Sequence, residues 1–509
     1  MATTGSDTLD TASLQALLGP QLTAEQARMI YDQGPEAVVF ALLTLAKRAA
    51  EQAAGAAAPD PSAPSGQTPP YAKPTRKGRA KPKGGRPGHP GHRRPTPIQI
   101  DRREGHSLAA CPKCHGPVRP CRGSRARVIE DIPADITPVV TEHTIHRSWC
   151  PNCRTHVEPA VPDALPGSSI GLRVVVLSAW LHYLLGTTLA QVVDVFNFHL
   201  HFKLSPGGLV QMWHRLREVL LAWYLEIQAQ ALGSAVLHAD ETGWRVDGKT
   251  HWLWCFTTAD LTCYMIDRSR GGPALKRFFK REFAGVLVTD FWAAYNAVVA
   301  ARKQKCLPHL LRDLKRTQHY HHPGGDWPAF SKQLRRLIRD SIRLSKRRSE
   351  LPGERFACRR RRLGERLHEL LARPWEERHA RRLVKRLRRH ESELFTFLDH
   401  PEVPFDNNHA ERMIRPAVIV RKNSYANGSE PGAETQAVLM SVFRTLKQRG
   451  HNPVAAALDA VRASLKAGRL PPLPASTADP LRKPRGTDPV ESPGGPMSAA
   501  SLAAIGVPR

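Results

Sequence analysis

Three acidic side chains in this sequence have the types and positions expected of a divalent-metal site. Asp240 ends the apolar run VLHAD, and Asp290 ends the apolar run GVLVTD. Both runs have the length and composition of short buried strands, so we expect the two aspartates at strand ends. Adjacent strand ends can bring carboxylates close together, which is costly unless cations lie between them. This pattern predicts a site for Mg²⁺ or Mn²⁺, which prefer hard oxygen ligands.

Glu411 is the third carboxylate of the predicted site. It follows Asp406 and Asn407, residue types that cap helices, so we expect Glu411 in the first turn of a helix. The alternatives for the third carboxylate are Glu402, Glu430 and Glu434. Glu411 is preferred because basic residues follow it and Arg415, four positions on, shares its helix face. The cations that we expect to bind DNA phosphates are Arg412, Arg415, Arg421 and Lys422.

Such a site fits the in-line displacement that cleaves a phosphodiester. One metal ion lowers the pKa of the attacking water or 3′-hydroxyl, and a second, roughly 3.5 to 4 Å away, stabilises the leaving oxygen. Glu241 competes with Asp240 for the first position, but successive strand residues point to opposite faces of a sheet. We choose Asp240 because Glu241 is expected to open a turn into Thr242 and Gly243.

The elements around these acids follow the opening order of a ribonuclease-H-like domain. Three strands joined as hairpins (VLHAD, HWLWCFTTA and LTCYMIDR) precede the helical text PALKRFFKREF and the strand GVLVTD. Arg-rich helical text at about 325–400 interrupts this domain. The fold prediction is therefore a multidomain α/β protein, in which a ribonuclease-H-like mixed sheet at 233–466 carries an Arg-rich helical insertion.

Four further segments flank that domain or precede it. Leu and Ala at helical spacing predict an N-terminal helical segment over 1–55. Residues 165–232 have the helix, Ser-Pro-Gly-Gly turn and helix order of a helix-turn-helix DNA-binding region, although an ordinary packed helix pair fits equally. A basic Pro/Gly linker at 56–99 and a Pro/Ser/Ala-rich tail at 467–509 are predicted to be disordered.

Two Cys-x-x-Cys pairs predict a zinc-binding module at 100–160, which resembles a zinc ribbon. CPKC and CPNC are separated by β-prone text, and four thiolates close a tetrahedral site that leaves no position for catalysis. The predicted ligands of this structural Zn²⁺ are Cys111, Cys114, Cys150 and Cys153, and the possible substitutes are Cys121, His115 and His156. Nine cysteines in so long a chain indicate metal binding in a reducing compartment rather than disulfides.

The charge balance predicts a nucleic-acid partner. The 509 residues include 75 Lys and Arg against 46 Asp and Glu, a formal net charge of +29, and such a chain gains free energy by releasing counterions from phosphates. No run approaches the roughly 18 apolar residues of a membrane-spanning helix, and MATTGSDTLD has no features of a signal peptide. We therefore expect a cytoplasmic, nucleoid-associated protein without a membrane partner.

Four stretches of this sequence resemble the insertion-sequence-66-type bacterial transposases. They are HADETGWRV, VTDFWAAYN, CLPHLLRDLKR and DNNHAERMIRPAVIVRKNSYANGSEPGAE, and the resemblance spans roughly residues 70–465. It implies a DDE transposase of ribonuclease-H-like fold, with the family's two aspartates and glutamate at Asp240, Asp290 and Glu411. The family's Cys-x-x-His maps to Cys306 and His309, and it marks His309 as a candidate accessory residue.

Two departures from the family pattern lie beside these motifs. Gly243 stands where the family commonly has Pro, and Leu-Pro separates Cys306 from His309 where the family has Trp-Ala. Neither departure changes a carboxylate, so the implied activity is kept.

The leading hypothesis is an enzyme that cleaves and transfers DNA strands at the terminal inverted repeats of an insertion sequence. The resemblance also implies target DNA, a homo-oligomer on DNA and accessory proteins encoded by the element as partners. One alternative is a non-cleaving DNA-binding regulator derived from a transposase, which the presence of all three acids disfavours. Another is a nuclease of the same fold that cuts without strand transfer, which the Arg-rich insertion disfavours.

Overall fold

The computed structural model describes residues 23–55, 99–105, 107–119, 126–129, 132–133 and 136–477, with side chains described only to residue 45 in the first range. The predicted linker at 56–99, apart from its last residue, and most of the predicted tail at 467–509 lie outside these residues. The chain divides into two compact units. They are Met1–Gly91 with Arg312–Pro323, and His92–Leu311 with Gly324–Arg509.

The first unit contains the helices α1 (Ala24–Asp32) and α2 (Pro35–Gly55), which lie within the predicted N-terminal helical segment. A capping box starts α1: Thr23 Oγ1 accepts a hydrogen bond from the Gln26 amide, and the Gln26 side chain accepts one from the Thr23 amide. A small apolar core joins the two helices; it contains Ile30, Ala37 and Ala41.

The second unit begins with a small hairpin in the predicted zinc module. Strand β1 (Ser148–Cys150) pairs antiparallel with β2 (Thr155–Val157). The strand content expected before β1 is absent from the described residues of 126–147, none of which lies in a strand or helix. Val139 and Val140 there are 91% and 93% exposed, so this text buries no apolar face that would hold it in a sheet.

The predicted order of helix, turn and helix is present next, but Ser-Pro-Gly-Gly begins the second helix instead of forming the turn, because Ser205 is its N-cap and Pro206 its first residue. Helix α3 (Leu172–Tyr183) precedes α4 (Leu189–Asp194), a π-helical turn and the long α5 (Pro206–Leu232). Ser205 caps α5 through its Oγ, which accepts from the Gly208 amide at 3.2 Å. Helix α5 buries a stripe along its whole length, including Trp213 and Trp223, so most of this helix serves as core.

A five-stranded mixed sheet forms the centre of the described second unit, in the order β5-β4-β3-β6-β7. Strands β3, β4 and β5 pair antiparallel, whereas β3, β6 and β7 pair parallel, with α6 (Gly272–Phe278) before β6. The strands are β3 (Val236–Val246), β4 (Lys249–Thr257), β5 (Thr262–Asp267), β6 (Phe283–Thr289) and β7 (Ala300–Lys305). This α/β arrangement is compatible with a ribonuclease-H-like fold.

Strand β3 is longer than the sequence predicted. Asp240 lies in the interior of β3 rather than at its end, because the ladder with β4 continues past it to Val246. Glu241 therefore pairs with Trp254 and opens no turn, contrary to our expectation. The turn comes later, at Asp247 and Gly248, which both have positive φ (49° and 68°).

The remaining helices include the predicted Arg-rich insertion. Helix α7 is Leu307–His321, and the insertion contains α8 (Trp327–Lys346), α9 (Gly353–Ala372), α10 (Arg378–Arg389) and the short α11 (Thr396–Asp399). Helices α12 (Asn408–Ser424), α13 (Glu430–Gln448) and α14 (Pro453–Ala467) follow. Helix α13 contacts β5, where Ser441 Oγ accepts from the Tyr264 amide at 2.8 Å. None of the described helices is both long and apolar enough to cross a membrane.

Candidate functional site

Asp240 and Asp290 lie side by side on two inner strands of the sheet, next to the carboxyl end of β6. Asp240 belongs to β3 and Asp290 directly follows β6. These strands are parallel neighbours in which His238 pairs with Val288, two residues before each aspartate. The pairing thus assembles the two aspartates as the sequence predicted, although one is not at a strand end.

The carboxylates at this edge share one electrostatic environment. Burial raises the pKa of Asp240 well above its ordinary value, and the charges of neighbouring carboxylates raise it further. Those neighbours are Glu241, Asp290 and Glu411. We call Asp240, Asp290 and Glu411 the acidic centre.

Glu411 reaches the acidic centre from the first turn of α12, as predicted. The three alternatives for the third carboxylate are engaged in ion pairs elsewhere. Glu402 lies 3.4 Å from a nitrogen of His400, Glu430 lies 3.0 Å from Arg268, and Glu434 lies 3.0 Å from Arg217.

His309 lies directly beside Glu411. Its Nε2 is 3.8 Å from Glu411 Oε1, and the ligand atoms of Cys306, His309 and Glu411 all lie within 4.8 Å of one another. Burial raises the pKa of the Cys306 thiol to about 12, so Cys306 is a neutral thiol when no cation is bound. Among the residues that the structure describes, this trio is the group with the composition and spacing of a metal site.

Asn407 fixes the start of α12 against the sheet. Its Nδ2 donates to the Ala239 carbonyl at 2.9 Å, and its Oδ1 lies 3.0 Å from Nδ1 of His238. The capping expectation holds for Asp406, whose Oδ1 accepts from the Asn408 amide, but the Asn407 side chain makes no cap. The Asn407 side chain instead forms hydrogen bonds with β3. The sequence did not predict this contact because it joins residues that are distant in the chain.

The two ends of the segment that contains the insertion meet beside Asn407. The Asn407 amide donates to Cys306 Sγ at 3.2 Å, and the Leu307 amide donates to the Phe405 carbonyl at 3.0 Å. Cys306 is itself joined to the end of β6, because its amide donates to the Thr289 carbonyl at 2.8 Å. The chain thus leaves and rejoins the sheet at the acidic centre.

Glu241 is a fourth carboxylate at this place, and it is buried. Its side chain is 2% exposed and accepts hydrogen bonds from the Tyr295 hydroxyl at 2.6 Å and from Arg270 at 3.1 Å. Burial raises the pKa of Glu241, and the charge of Asp290 adds to that rise, although both hydrogen bonds oppose it. Glu241 is therefore already saturated by protein donors.

A stack of aromatic and cationic side chains borders Asp290. The Arg270 guanidinium lies over Trp252 at 4.3 Å and over Trp292 at 3.8 Å from the ring centroids. The Trp292 indole donates to the Arg270 carbonyl, and the Trp292 amide donates to Asp290 Oδ1 at 2.8 Å. This stack orients the Asp290 carboxylate.

Lys305 is a fully buried cation behind the same strand end. Its Nζ donates to Thr289 Oγ1 at 3.0 Å and to the Asp290 carbonyl at 3.1 Å, and it lies 3.7 Å from a carboxylate oxygen of Glu393. Burial lowers the pKa of Lys305 to about 8, against the opposing influence of Glu393 and Asp290. Lys305 thus holds the backbone that carries Asp290.

The predicted DNA-contacting cations of α12 have different surroundings. Arg412, Arg415 and Lys422 are exposed. Arg421 is half-buried and donates to Thr242 Oγ1 at 3.1 Å and to the Gly243 carbonyl. In this structure Arg421 therefore joins α12 to β3, and its contact with DNA stays a prediction.

The paired cysteines form two separate knuckles. Hydrogen bonds from Cys114 lower the pKa of Cys111, and hydrogen bonds from Cys153 lower the pKa of Cys150. Within the described residues, the four sulfurs do not form a group within 4.8 Å. The zinc assignment stays a prediction; of the possible substitutes, His156 packs on Trp149 and Cys121 lies outside the described residues.

Comparison with known proteins gives two findings. The model of the transposase IS66 family matches residues 167–435, a range that contains all of the acidic centre but none of the paired cysteines. An uncharacterized protein of Sinorhizobium fredii (strain NBRC 101917 / NGR234), y4qI, is 26% identical over 290 residues, which cover 47% of this chain and 51% of that relative. The chain therefore spans about half the length of the curated relative it matches.

Proposed function

This chain belongs to the transposase IS66 family, and from that premise we propose that it cleaves DNA at the terminal inverted repeats of its insertion sequence and joins the freed strand to target DNA. The observation that carries the proposal is the acidic centre, where burial and neighbouring carboxylates from distant segments, Asp290 and Glu411 among them, raise the pKa of Asp240. Three acids that were fully exposed on the surface would not have this effect, because water and salt screen exposed charges.

Asp240, Asp290 and Glu411 have the chemistry of divalent-cation ligands, and a bound pair of cations would draw together ligand atoms that do not all lie within 4.8 Å of one another. Burial and mutual repulsion disfavour the ionised carboxylate of Asp240, and a bound cation removes that penalty. Carboxylate oxygens are ligands of Mg²⁺ and Mn²⁺, and we assign Asp240, Asp290 and Glu411 to them. When bound there, the ions supply the acidity that activates the attacking water or 3′-hydroxyl and the charge that stabilises the leaving oxygen.

The protein's own side chains supply position and charge around those ligands. Trp292 and Lys305 orient Asp290, and Asn407 orients the helix turn that carries Glu411. His309 lies beside Glu411, where it acts as an accessory group that steadies the carboxylate. The exposed cations Arg412, Arg415 and Lys422, with Arg421 after a side-chain movement, bind phosphates that flank the cleaved bond.

Further parts of the proposal concern the whole protein. The sheet is the catalytic core of a ribonuclease-H-like domain, and Cys111, Cys114, Cys150 and Cys153 hold a structural Zn²⁺ once the two knuckles approach each other. Two element ends must be processed in one complex, so the chain acts as a homo-oligomer on DNA, with accessory proteins of the element as further partners. Its place of action is the bacterial nucleoid in the cytoplasm.

A cleavage assay with charge-neutral variants tests the central claim. Purified protein is incubated with Mg²⁺ and labelled DNA that carries the element's ends, beside Asp240→Asn and Glu411→Gln. The matched control is Asp247→Asn, which neutralises an exposed aspartate in the turn after the same strand. We expect cleavage by the wild type and the control only.

Two outcomes would contradict the proposal. Cleavage that survives both substitutions would remove the acidic centre from the chemistry. Specific binding of the ends without cleavage by any of the proteins, even with the element's accessory proteins added, would instead favour a non-cleaving regulator derived from a transposase.

A further inference from the structure

The Arg-rich insertion contains a cavity between α8 and α9. These two helices pack against each other, and the cavity has a volume of about 320 Å³. Leu344 and Leu363 supply its apolar floor, and the remaining lining is charged. The charged lining residues are Asp340, Arg343, Arg347, Arg359, Arg362 and Arg366. We call this cavity the arginine pocket.

Asp340 organises one side of the arginine pocket. Its carboxylate lies 3.0 Å from Arg366 of α9 and 3.4 Å from Arg343 of its own helix, so it joins the two helices and fixes two guanidinium groups. Arg347 lies 2.8 Å from Glu350. These acids hold the arginines in place but do not balance them, because five arginines line the pocket with one aspartate.

Arg359 and Arg362 supply the excess charge. Both are exposed on α9, and no ion pair is recorded for either among the described contacts. Five guanidinium groups around one cavity repel one another unless an anion lies between them. Their planar donors pair bidentately with phosphate oxygens, as they also do with carboxylates.

We propose that the arginine pocket binds neighbouring backbone phosphates of a DNA duplex, in addition to the DNA engaged at the acidic centre; this inference rests on the proposed function. A free polyphosphate has the same chemistry, but it would need only the pocket. The basic surface instead continues past the pocket along both helices, as a linear polyanion requires. Exposed arginines outside the pocket are Arg336 and Arg339 on α8, and Arg355 and Arg361 on α9.

The experiment compares two variants that lose the same charge from exposed helix positions of the insertion. The first is Arg359→Ala/Arg362→Ala in the pocket, and the second is Arg381→Ala/Arg382→Ala on α10, outside the two helices that line the pocket. Both pairs are exposed helix positions, where Ala is well tolerated, and thermal unfolding checks that each variant folds. Binding of a random-sequence 30-base-pair duplex is followed by fluorescence anisotropy over a range of salt concentrations.

All proteins in this experiment carry Asp290→Asn and are kept in metal-free buffer, so that no DNA is cleaved. The binding test therefore does not depend on the proposed cleavage. If the pocket binds phosphates, its variant should bind the duplex about tenfold more weakly at moderate salt. The slope of log K against log salt should fall by about 2, one unit for each lost phosphate contact. The outside variant should change both quantities much less.

Two results would overturn the inference. Equal losses in the two variants would show that only total charge matters and that the pocket is not a site. Unchanged duplex binding, with calorimetric binding of inorganic tripolyphosphate lost in the pocket variant alone, would assign the pocket to a free polyphosphate rather than to DNA.

Discussion

The acidic centre and the arginine pocket differ in how the chain assembles them. The acidic centre takes one residue from each of three distant segments, β3, the end of β6 and α12. The arginine pocket takes its residues from two successive helices and from Arg347, which directly follows the first of them. Burial also separates them, because Asp240 is buried and neighbouring carboxylates raise its pKa further, whereas Arg359 and Arg362 of the pocket are exposed.

This difference implies different requirements for support. The acidic centre depends on buried partners that position single atoms, such as Asn407 and Lys305. The pocket needs only helical spacing and one bridging aspartate. Single substitutions should therefore damage the acidic centre steeply and the insertion gradually.

The steepest effect is expected at Asp290. Asp290→Asn should lower strand cleavage by at least about 10³-fold, or about 4 kcal/mol of barrier, because a metal-ligating charge is lost. Its metal-free melting temperature should not fall, since the change relieves repulsion on Asp240. By contrast, Arg359→Ala/Arg362→Ala should keep cleavage within about threefold at saturating DNA. A comparable loss of cleavage in that double variant would show that the arginine pocket is as necessary for cleavage as the acidic centre.

The next largest effect is expected at Asn407. Asn407→Ala leaves the Ala239 carbonyl and the His238 ring without buried partners and should cost about 2–4 kcal/mol of unfolding free energy, measured with urea. Asn408→Ala, at the exposed next position, is the control. If the two variants were equally stable, the acidic centre would not depend on this anchor.

Mg²⁺ should stabilise the protein through the acidic centre alone. Added Mg²⁺ at about 100 times its dissociation constant should raise the unfolding free energy by about 2.7 kcal/mol, and a chelator should reverse the gain. The unfolding free energy is measured by scanning calorimetry. The variant Asp240→Asn/Asp290→Asn should show no increase in unfolding free energy when Mg²⁺ is added. An equal gain in both proteins would mean that Mg²⁺ binds elsewhere.

The smallest effect is expected for an ion pair within the insertion. Arg360 makes two contacts with Asp399, at 3.0 and 2.9 Å, but the Asp399 side chain is 48% exposed. A double-mutant cycle with Arg360→Ala and Asp399→Ala should give a coupling of at most about 1 kcal/mol, decreasing with salt. A coupling energy well above that value would show that this ion pair stabilises the protein as strongly as the buried contacts of the sheet.

Sequence patterns predicted four of the five strands of the sheet but not its outer strand β7. The apolar runs that contain Asp240 and Asp290 gave β3 and β6, and the aromatic runs gave β4 and β5. Strand β7 was missed because AARKQK reads as a basic, polar segment. It is a strand because Gln304 and Lys305 are buried by specific partners, the Leu394 carbonyl and the Asp290 carbonyl among them. No periodicity encodes those partners.

The site was predictable to different degrees. Helix-cap residues and the family resemblance located Glu411, whereas nothing local indicated that Asn407, Tyr295 and Lys305 support the carboxylates. Glu241 was considered only as a competitor of Asp240. Strand alternation predicts which face of the sheet a side chain occupies, but it does not predict which hydrogen-bond donors lie on that face. Long-range partners of this kind follow from the three-dimensional fold alone.

The paired contacts between Leu307 and Phe405, and between Asn407 and Cys306, have a consequence for how this protein can evolve. They close the intervening segment into a loop whose two ends are fixed at one place on the sheet. Changes of length or sequence in its outer helices, α8 to α10, need not disturb the carboxylates, whereas His309 and Glu393 of the same loop contact Glu411 and Lys305. The outer part of the insertion is therefore a replaceable module: the surface that we propose to bind DNA can change while the support of the carboxylates stays in place.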